Sequence, residues 1–295
     1  MKRIFCLFIL ISFSIAAQTK GTVLDESNNP IPYVNIWVES ENSGTTSEEN
    51  GEFTIKSSDQ NKNLIFSALG FEKKIVKISD SKQVRLKAVA EEIDEIVIQK
   101  SKNTIEHEIG NYKKGKINFY YGCWDKPWII AKFFTFNDTI KQTPFLKKIT
   151  IMSSSYKKGA CFNLRILEGN TDGTPGNDLL EKNIVVKVKS GKNNNEIDLS
   201  EFNIKFPENG IFVSVEFLII EENRYDIEVS FKDSKKKQIM SSYQPSIGTV
   251  PSDTSSTWRY AMGEWKKFQT KNTNKENKNY FNKFSELAMK LTLTN

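Results

Sequence analysis

Few residues of this chain have types suited to covalent chemistry. The single histidine, His107, lies between Glu106 and Glu108 in a polar, charged stretch. A Ser-His-Asp arrangement would have to be built on it with no neighbour placed to orient the ring. No Gly-x-Ser-x-Gly turn occurs that would present a serine nucleophile. Zinc is equally poorly served, because after Cys6 only Cys123 and Cys161 remain and a four-ligand site would have to borrow carboxylates. Two carboxylates about 5 to 9 Å apart would suffice for glycoside hydrolysis, and Glu168, Asp172, Asp178 and Glu216 are candidates. With 36 acidic residues in the chain, nothing selects a pair. No catalytic residue is assigned, and the sequence calls for no cofactor.

Binding chemistry has more to draw on. Trp124, Trp128, Trp258 and Trp265, with Tyr120, Tyr121 and Tyr260, stand at the two ends of residues 117–295. On an exposed face their flat rings would stack on sugars or peptide side chains; the competing reading is that they fill a core or cover a domain junction. The segment EGNTDGTPGND, residues 168–178, supplies Asn170, Asp172, Asn177 and Asp178 as oxygen ligands for calcium. Its spacing is not that of an EF-hand, and Asp-Gly followed by Thr-Pro-Gly equally makes a surface turn, which is the preferred reading. Cys123 and Cys161 would bridge in an oxidising compartment if the fold brought their Cα atoms within about 7 Å. Otherwise they are two separate small hydrophobes.

The elements that must position these residues are strands. Residues 21–98 alternate apolar and polar side chains in short runs: Val34, Ile36 and Val38; Phe53 and Ile55; Leu64, Phe66 and Ala68; Ile75 and Ile78; Val84 and Leu86. Asn50-Gly51 and Pro30 punctuate them. That pattern predicts about seven strands in an antiparallel sandwich. The succession GTVLDESNNPIPYVNIWV, GTTSEENGEFTI, LIFSALGFEKKIVKI and IDEIVI resembles the carboxypeptidase-regulatory-like domain common in exported proteins of Bacteroidetes type. The resemblance covers Thr19 to about Gln99. It implies a prealbumin-like β-sandwich, found beside peptidase domains, at the N-termini of outer-membrane receptors and in stand-alone exported proteins, and carrying no catalytic residues itself.

Residues 99–116 lose the alternation and read as a linker. From Ile117 onward strand-like runs return, at Phe133–Phe136, Leu146–Met152, Phe162–Leu167, Ile184–Val188, Ile211–Ile219, Tyr225–Phe231 and Leu287–Leu293. They predict a second, larger β-sandwich or jelly roll over 117–295. ACFNLRILEGNTDGTPGNDLLEKNIVV, EIDLSEFNIKFPENGIFVSVEFL and GEWKKF resemble the domain that often follows the regulatory-like domain in exported Bacteroidetes proteins, a resemblance that implies no activity. The Asn- and Lys-rich stretch 271–285 is expected to be mobile, with Phe281 and Phe284 as its anchors.

Lys2 and Arg3, the apolar run Ile4–Ile15, and Ala16-Ala17-Gln18 form a secretory signal pattern over residues 1–17, with cleavage before Gln18. The run is shorter than the roughly 20 residues that span a bilayer, and no later stretch reaches that length, so the mature chain is expected to have no transmembrane segment. Periplasm, outer-membrane surface and medium are all compatible destinations. Residues 18–98 carry 9 basic against 14 acidic side chains and residues 99–295 carry 31 against 22. A basic second half would suit an acidic partner or polysaccharide, although lysines on β-sheet edges also serve simply to discourage aggregation. Export and the lack of a recognised nucleic-acid module argue against nucleic acid as a partner. The expectation is a non-enzymatic binding or structural protein of the cell envelope, with a glycan or an envelope protein as partner. The alternative is a surface hydrolase using a carboxylate pair in the second domain.

Overall fold

The computed structural model describes residues 18–57, 59–89, 104–110, 112–230 and 237–295. The signal pattern at 1–17 and the acidic IDEIVI segment lie outside the described residues.

The first unit contains seven strands: β1 (Gln18–Leu24), β2 (Asn35–Val38), β3 (Gly44–Thr46), β4 (Glu52–Lys56), β5 (Asn63–Ser67), β6 (Lys74–Lys77) and β7 (Gln83–Arg85). They form two sheets, β4-β1-β7 and β3-β2-β5-β6, antiparallel except for the β1–β7 pair. The alternation works as half-buried strands require: in β4, Phe53 and Ile55 are buried while Glu52, Thr54 and Lys56 face water. Phe53 meets Phe66 of the other sheet edge-on at 5.6 Å, and Val23, Ile36, Val38, Leu64, Val84 and Leu86 complete the core. Gly51 turns the chain into β4 with φ +76°. A Cβ there would stand 2.6 Å from the Val23 carbonyl oxygen, so geometry and space both demand glycine.

The second unit contains β8 (Glu106–Ile109), β9 (Tyr120–Cys123), β10 (Ile129–Phe134), the short helix α1 (Asp138–Gln142), β11 (Phe145–Ser155), β12 (Cys161–Gly169), β13 (Pro175–Asp178), β14 (Ile184–Lys187) and β15 (Gly191–Asp198). These are followed by β16 (Ile211–Phe217), β17 (Arg224–Ser230), β18 (Lys237–Ser252), β19 (Thr257–Ala261), β20 (Glu264–Lys267), β21 (Phe284–Leu287) and β22 (Met289–Thr294). One sheet runs β13-β12-β16-β10-β19-β20, with β14 also on β12. The other runs β17-β18-β11-β22-β8, with β15 on β11 and with β9 and β21 on β18. The molecule is therefore all-β, a seven-stranded sandwich followed by a larger one.

Between the two large sheets, Phe162, Leu164 and Ile166 of β12 and Val213, Val215 and Phe217 of β16 pack against Ile149, Ile151, Leu291 and Leu293. The intervening residues of β12 and β16 point away from this core, yet every residue of β16 is buried. Its outer face is covered too. At one end the first unit covers it: Asn35 Nδ2 donates to the Glu216 carboxylate, Thr46 Oγ1 accepts from the Ile219 N–H at 3.1 Å, and Glu48 accepts from the Glu221 N–H at 3.0 Å. At the other end Trp258, Trp265 and Phe133 lie over Ala131, Leu167 and Phe212.

The 99–116 stretch is not all linker. Glu106–Ile109 forms β8, paired antiparallel with β22 from Leu291 to Thr294, which places His107 on an exposed sheet edge. Of the two anchors expected for the 271–285 stretch, Phe284 is half-buried at the start of β21, paired with Ser252, and a third residue pins the stretch as well. Tyr280 is fully buried, its hydroxyl donating to the Thr249 carbonyl at 2.5 Å, whereas Phe281 is 43% exposed.

Candidate functional site

The sandwich opens along the edge where β19 of one sheet diverges from β9 and β18 of the other. Five residues, Trp124 to Trp128, link β9 to β10 across this mouth. The Cys123 thiol donates to the Lys126 carbonyl at 3.2 Å and closes the turn, and Pro127 is buried against Gly44 of the first unit, where a Cβ would come within 3.0 Å of the proline ring. Held in this way, the loop floors a cleft of about 580 Å³, within the range of small-ligand sites.

Four rings line it. Tyr121 meets Trp128 edge-on at 6.0 Å and Phe268 at 5.4 Å, and Trp128 stacks on Phe217 of the core at 5.0 Å. The Tyr121 hydroxyl donates to the Ser285 carbonyl at 3.2 Å. Burial pushes its pKa up to about 12, so the phenol is neutral. Trp124 is the loose member, 48% exposed. Polar groups at the same cleft are Asp125, Lys126, Arg259 and Asn42, the last contributed by the first unit, and Met240 of β18 closes one side. The Arg259 guanidinium lies over the Phe268 ring, 6.0 Å from its centroid. The whole is an apolar platform with a few charged groups at its rim, suited to holding a ring-bearing ligand.

The four tryptophans thus divide. Trp124 and Trp128 line the cleft, while Trp258 and Trp265 belong to the aromatic cover on the outer face of the sheet. There Trp258 meets Phe212 edge-on at 5.8 Å and Trp265 meets Tyr260 at 5.3 Å. Arg259, Phe268, Met240 and Asn42 were not foreseen from sequence. The signal for Arg259 was parity: in β19 it alternates with Trp258 and Tyr260, and its antiparallel partner Ile130 faces the core, so it must lie on the opposite face from the tryptophan.

The carboxylate candidates have structural partners. Arg165 makes a two-pronged contact with Asp178, at 2.9 and 2.5 Å, and its third nitrogen stands 3.9 Å from Glu216. Glu216 also accepts from Asn163 Nδ2 at 2.7 Å and from Asn35. Burial pushes its carboxyl above the ordinary value, opposed by the Arg165 charge. This network bridges the two units on the outer face of the sheet, away from the cleft.

Asn170, Asp172 and Asp178, weighed as calcium ligands, are engaged by nearby residues of the chain. Both Asp178 oxygens are taken by Arg165. Asp172 Oδ1 accepts from the Thr174 N–H and hydroxyl, at 2.9 and 2.6 Å, and Asn170 directs its amide nitrogen back to Thr174 and to the Pro175 carbonyl. The loop is a self-satisfied turn, and among the described residues no cluster of three or more His, Cys, Asp or Glu side chains could hold a metal ion.

Of the two readings open for Cys123 and Cys161, the second holds: both are free, buried thiols. Cys123 points into the core between the sheets, whereas Cys161 points out of β12 toward Leu218, Ile220 and Tyr33 of the first unit. Opposite facing on different sheets is the reason. Burial raises both thiol pKa values, that of Cys161 to about 12, which leaves them protonated and unreactive.

A family model for the CarboxypepD_reg-like domain matches residues 19–98, the residues of the first sandwich. No curated protein matches the chain. Solved structures of infectious bursal disease virus, strains Gx and Gt, are similar at 9% and 12% identity, with TM-scores of 0.26 and 0.23. The alignments cover 94% of this chain in both cases and 63% and 64% of theirs, so the chain spans less than two thirds of those structures. Likeness at that level informs neither topology nor activity. Among the described residues no helix is long and apolar enough to cross a membrane.

Proposed function

We propose that this is a non-enzymatic binding protein exported to the cell envelope, in which the second sandwich presents a saccharide-binding cleft and the regulatory-like sandwich is a rigid accessory module. The observation that carries the reading is the exposed Trp124, standing beside Tyr121, Trp128 and Phe268 in a cleft of about 580 Å³ with Asp125, Lys126 and Arg259 at its rim. Flat rings offer sugar rings contact area at small entropic cost, and neighbouring charges supply the directional hydrogen bonds that choose among them. Export, and a Bacteroidetes-type source, are supported by the Lys2–Gln18 signal pattern and by the regulatory-like domain.

The hydrolase alternative gains no support from Glu216 and Asp178. Glu216 is raised by burial, but both Asp178 oxygens are held by the Arg165 guanidinium, so no free carboxylate base stands opposite it. A glycan array probed with the full mature chain, beside a pull-down from envelope extract, tests the proposal. Saccharide binding weakened at least tenfold by Trp124→Ala is the expected result. Hydrolysis of a glycoside, or binding untouched by that substitution, would overturn it.

A further inference from the structure

The described residues include four arginines, and three of them have hydrogen-bonding partners. Arg85 bonds to Asn28, Arg165 to Asp178 and Arg224 to Asp226. The Arg259 side chain, in the cleft, has neither a hydrogen bond nor an ion pair among the described residues. Its one contact of note is the Phe268 ring beneath it. The cation–π contact leaves the guanidinium N–H donors free, and their planar fork matches the two oxygens of a carboxylate.

The surrounding charge agrees with this. Lys126 shares the cleft, and Lys266 stands directly across from Arg259 in the β19–β20 register. The acidic groups nearby are Asp125 in the cleft and Glu264, which pairs with Lys266 at 2.9 Å. Residues 99–295 are basic as a whole.

Resting on the saccharide-binding reading, we infer that the cleft's ligand is an acidic oligosaccharide, a uronic-acid polymer segment whose sugar ring lies on Trp124 and whose carboxylate is taken by Arg259. Lys126 adds a second, less directional positive charge. Neutral sugars of the same shape satisfy the rings and leave the guanidinium unpaired.

The test is calorimetric titration of the full mature chain with a panel of galacturonate, glucuronate, mannuronate and guluronate oligomers, each beside its own methyl ester. The ester preserves the ring and removes the charge. The expected result is binding of at least one acid, at least tenfold weaker binding of its ester, and a similar loss of acid binding in Arg259→Gln with the ester unaffected. Arg259→Lys should fall between, since it retains charge and loses the fork. Trp124→Ala should weaken acid and ester alike. Esters that bind as well as their acids, or acid binding unchanged in Arg259→Gln, would overturn the inference while leaving the saccharide reading intact. If no member of the panel binds, acid or ester, this inference falls; if an array of neutral glycans is silent as well, the saccharide reading falls with it.

Discussion

On the outer face of the sheet containing β12, β16 and β10, Trp258 and Trp265 lie over Phe212 and Leu167, and beside them Arg165, Glu216 and Asn163 are locked under the first unit. At the β19 edge of the same sheet, Trp124 and Trp128 stand with Arg259 around an open cleft. Both regions hold tryptophans, an arginine and carboxylates. On the outer face every charge has a partner and the rings cover other rings. In the cleft the arginine has no partner and one ring is half in water. Side-chain types alone do not separate the two regions; the pairing of the arginines does, Arg165 being held by Asp178 and Arg259 by no carboxylate among the described residues.

That contrast can be broken by moving stability and binding independently. The largest effect is expected from Phe212→Ala, which empties the fully buried centre of the outer cover. A loss of about 3–5 kcal/mol should appear in urea unfolding, with ligand affinity of the remaining folded protein unchanged. A parallel loss of affinity would mean that the outer cover and the cleft are one site.

Glu216→Ala should cost about 2 kcal/mol, because it leaves the buried Asn35 amide without its acceptor and takes one acceptor from Asn163. Limited proteolysis between the two units should accelerate. The pH dependence sharpens the point. Burial raises the Glu216 carboxyl above its ordinary 4.5, so the folded chain holds this proton more tightly than the unfolded one. The associated stability is present in full below the unfolded value and is lost as pH rises through the folded value. Glu216→Gln, permanently neutral, removes that slope. Its urea midpoint should therefore improve relative to the parent as pH is raised from 4 to 7, and a pH-independent difference would show that Glu216 does not titrate in this window.

The smallest stability effect is expected at Trp124. Half exposed, it should cost less than about 1 kcal/mol when replaced by alanine. If Trp124→Ala destabilised the fold as much as Phe212→Ala does, the cleft would be core rather than a binding surface.

Much of the architecture was legible because antiparallel strands with one buried face alternate with period two. Phe53 and Ile55, or Phe162, Leu164 and Ile166, announce both the strand and its inner side. Where that condition fails, so does the reading. The strand β15, Gly191–Asp198, is polar but for Ile197 because it lies along the outside of β11, and β8 hides in a charged stretch for the same reason. In β2 all four residues are buried: Ile36 and Val38 face their own core while Asn35 reaches the second unit, a contact that nothing near residue 35 in the chain could signal. The cleft was half visible. Trp124 and Trp128 are neighbours in sequence, but Asn42, Met240, Arg259 and Phe268 reach them only through the strand order, across separations that no local pattern encodes.

The placement of β22 bears on how the molecule is made. This strand, at residues 289–294, lies between β11 and β8, pairing with both. The described strands of the first sandwich are complete by residue 85, so it can close as soon as that segment has emerged. The long strand β11 is complete at residue 155 and gains β15 on one edge by residue 198, but its other edge must wait for more than a hundred further residues before β22 is synthesised, on the order of ten seconds at about 5–20 residues per second. During that interval the backbone donors and acceptors of that edge are open to any passing strand. A nascent chain of this design depends on being kept apart from its siblings until its last strand arrives.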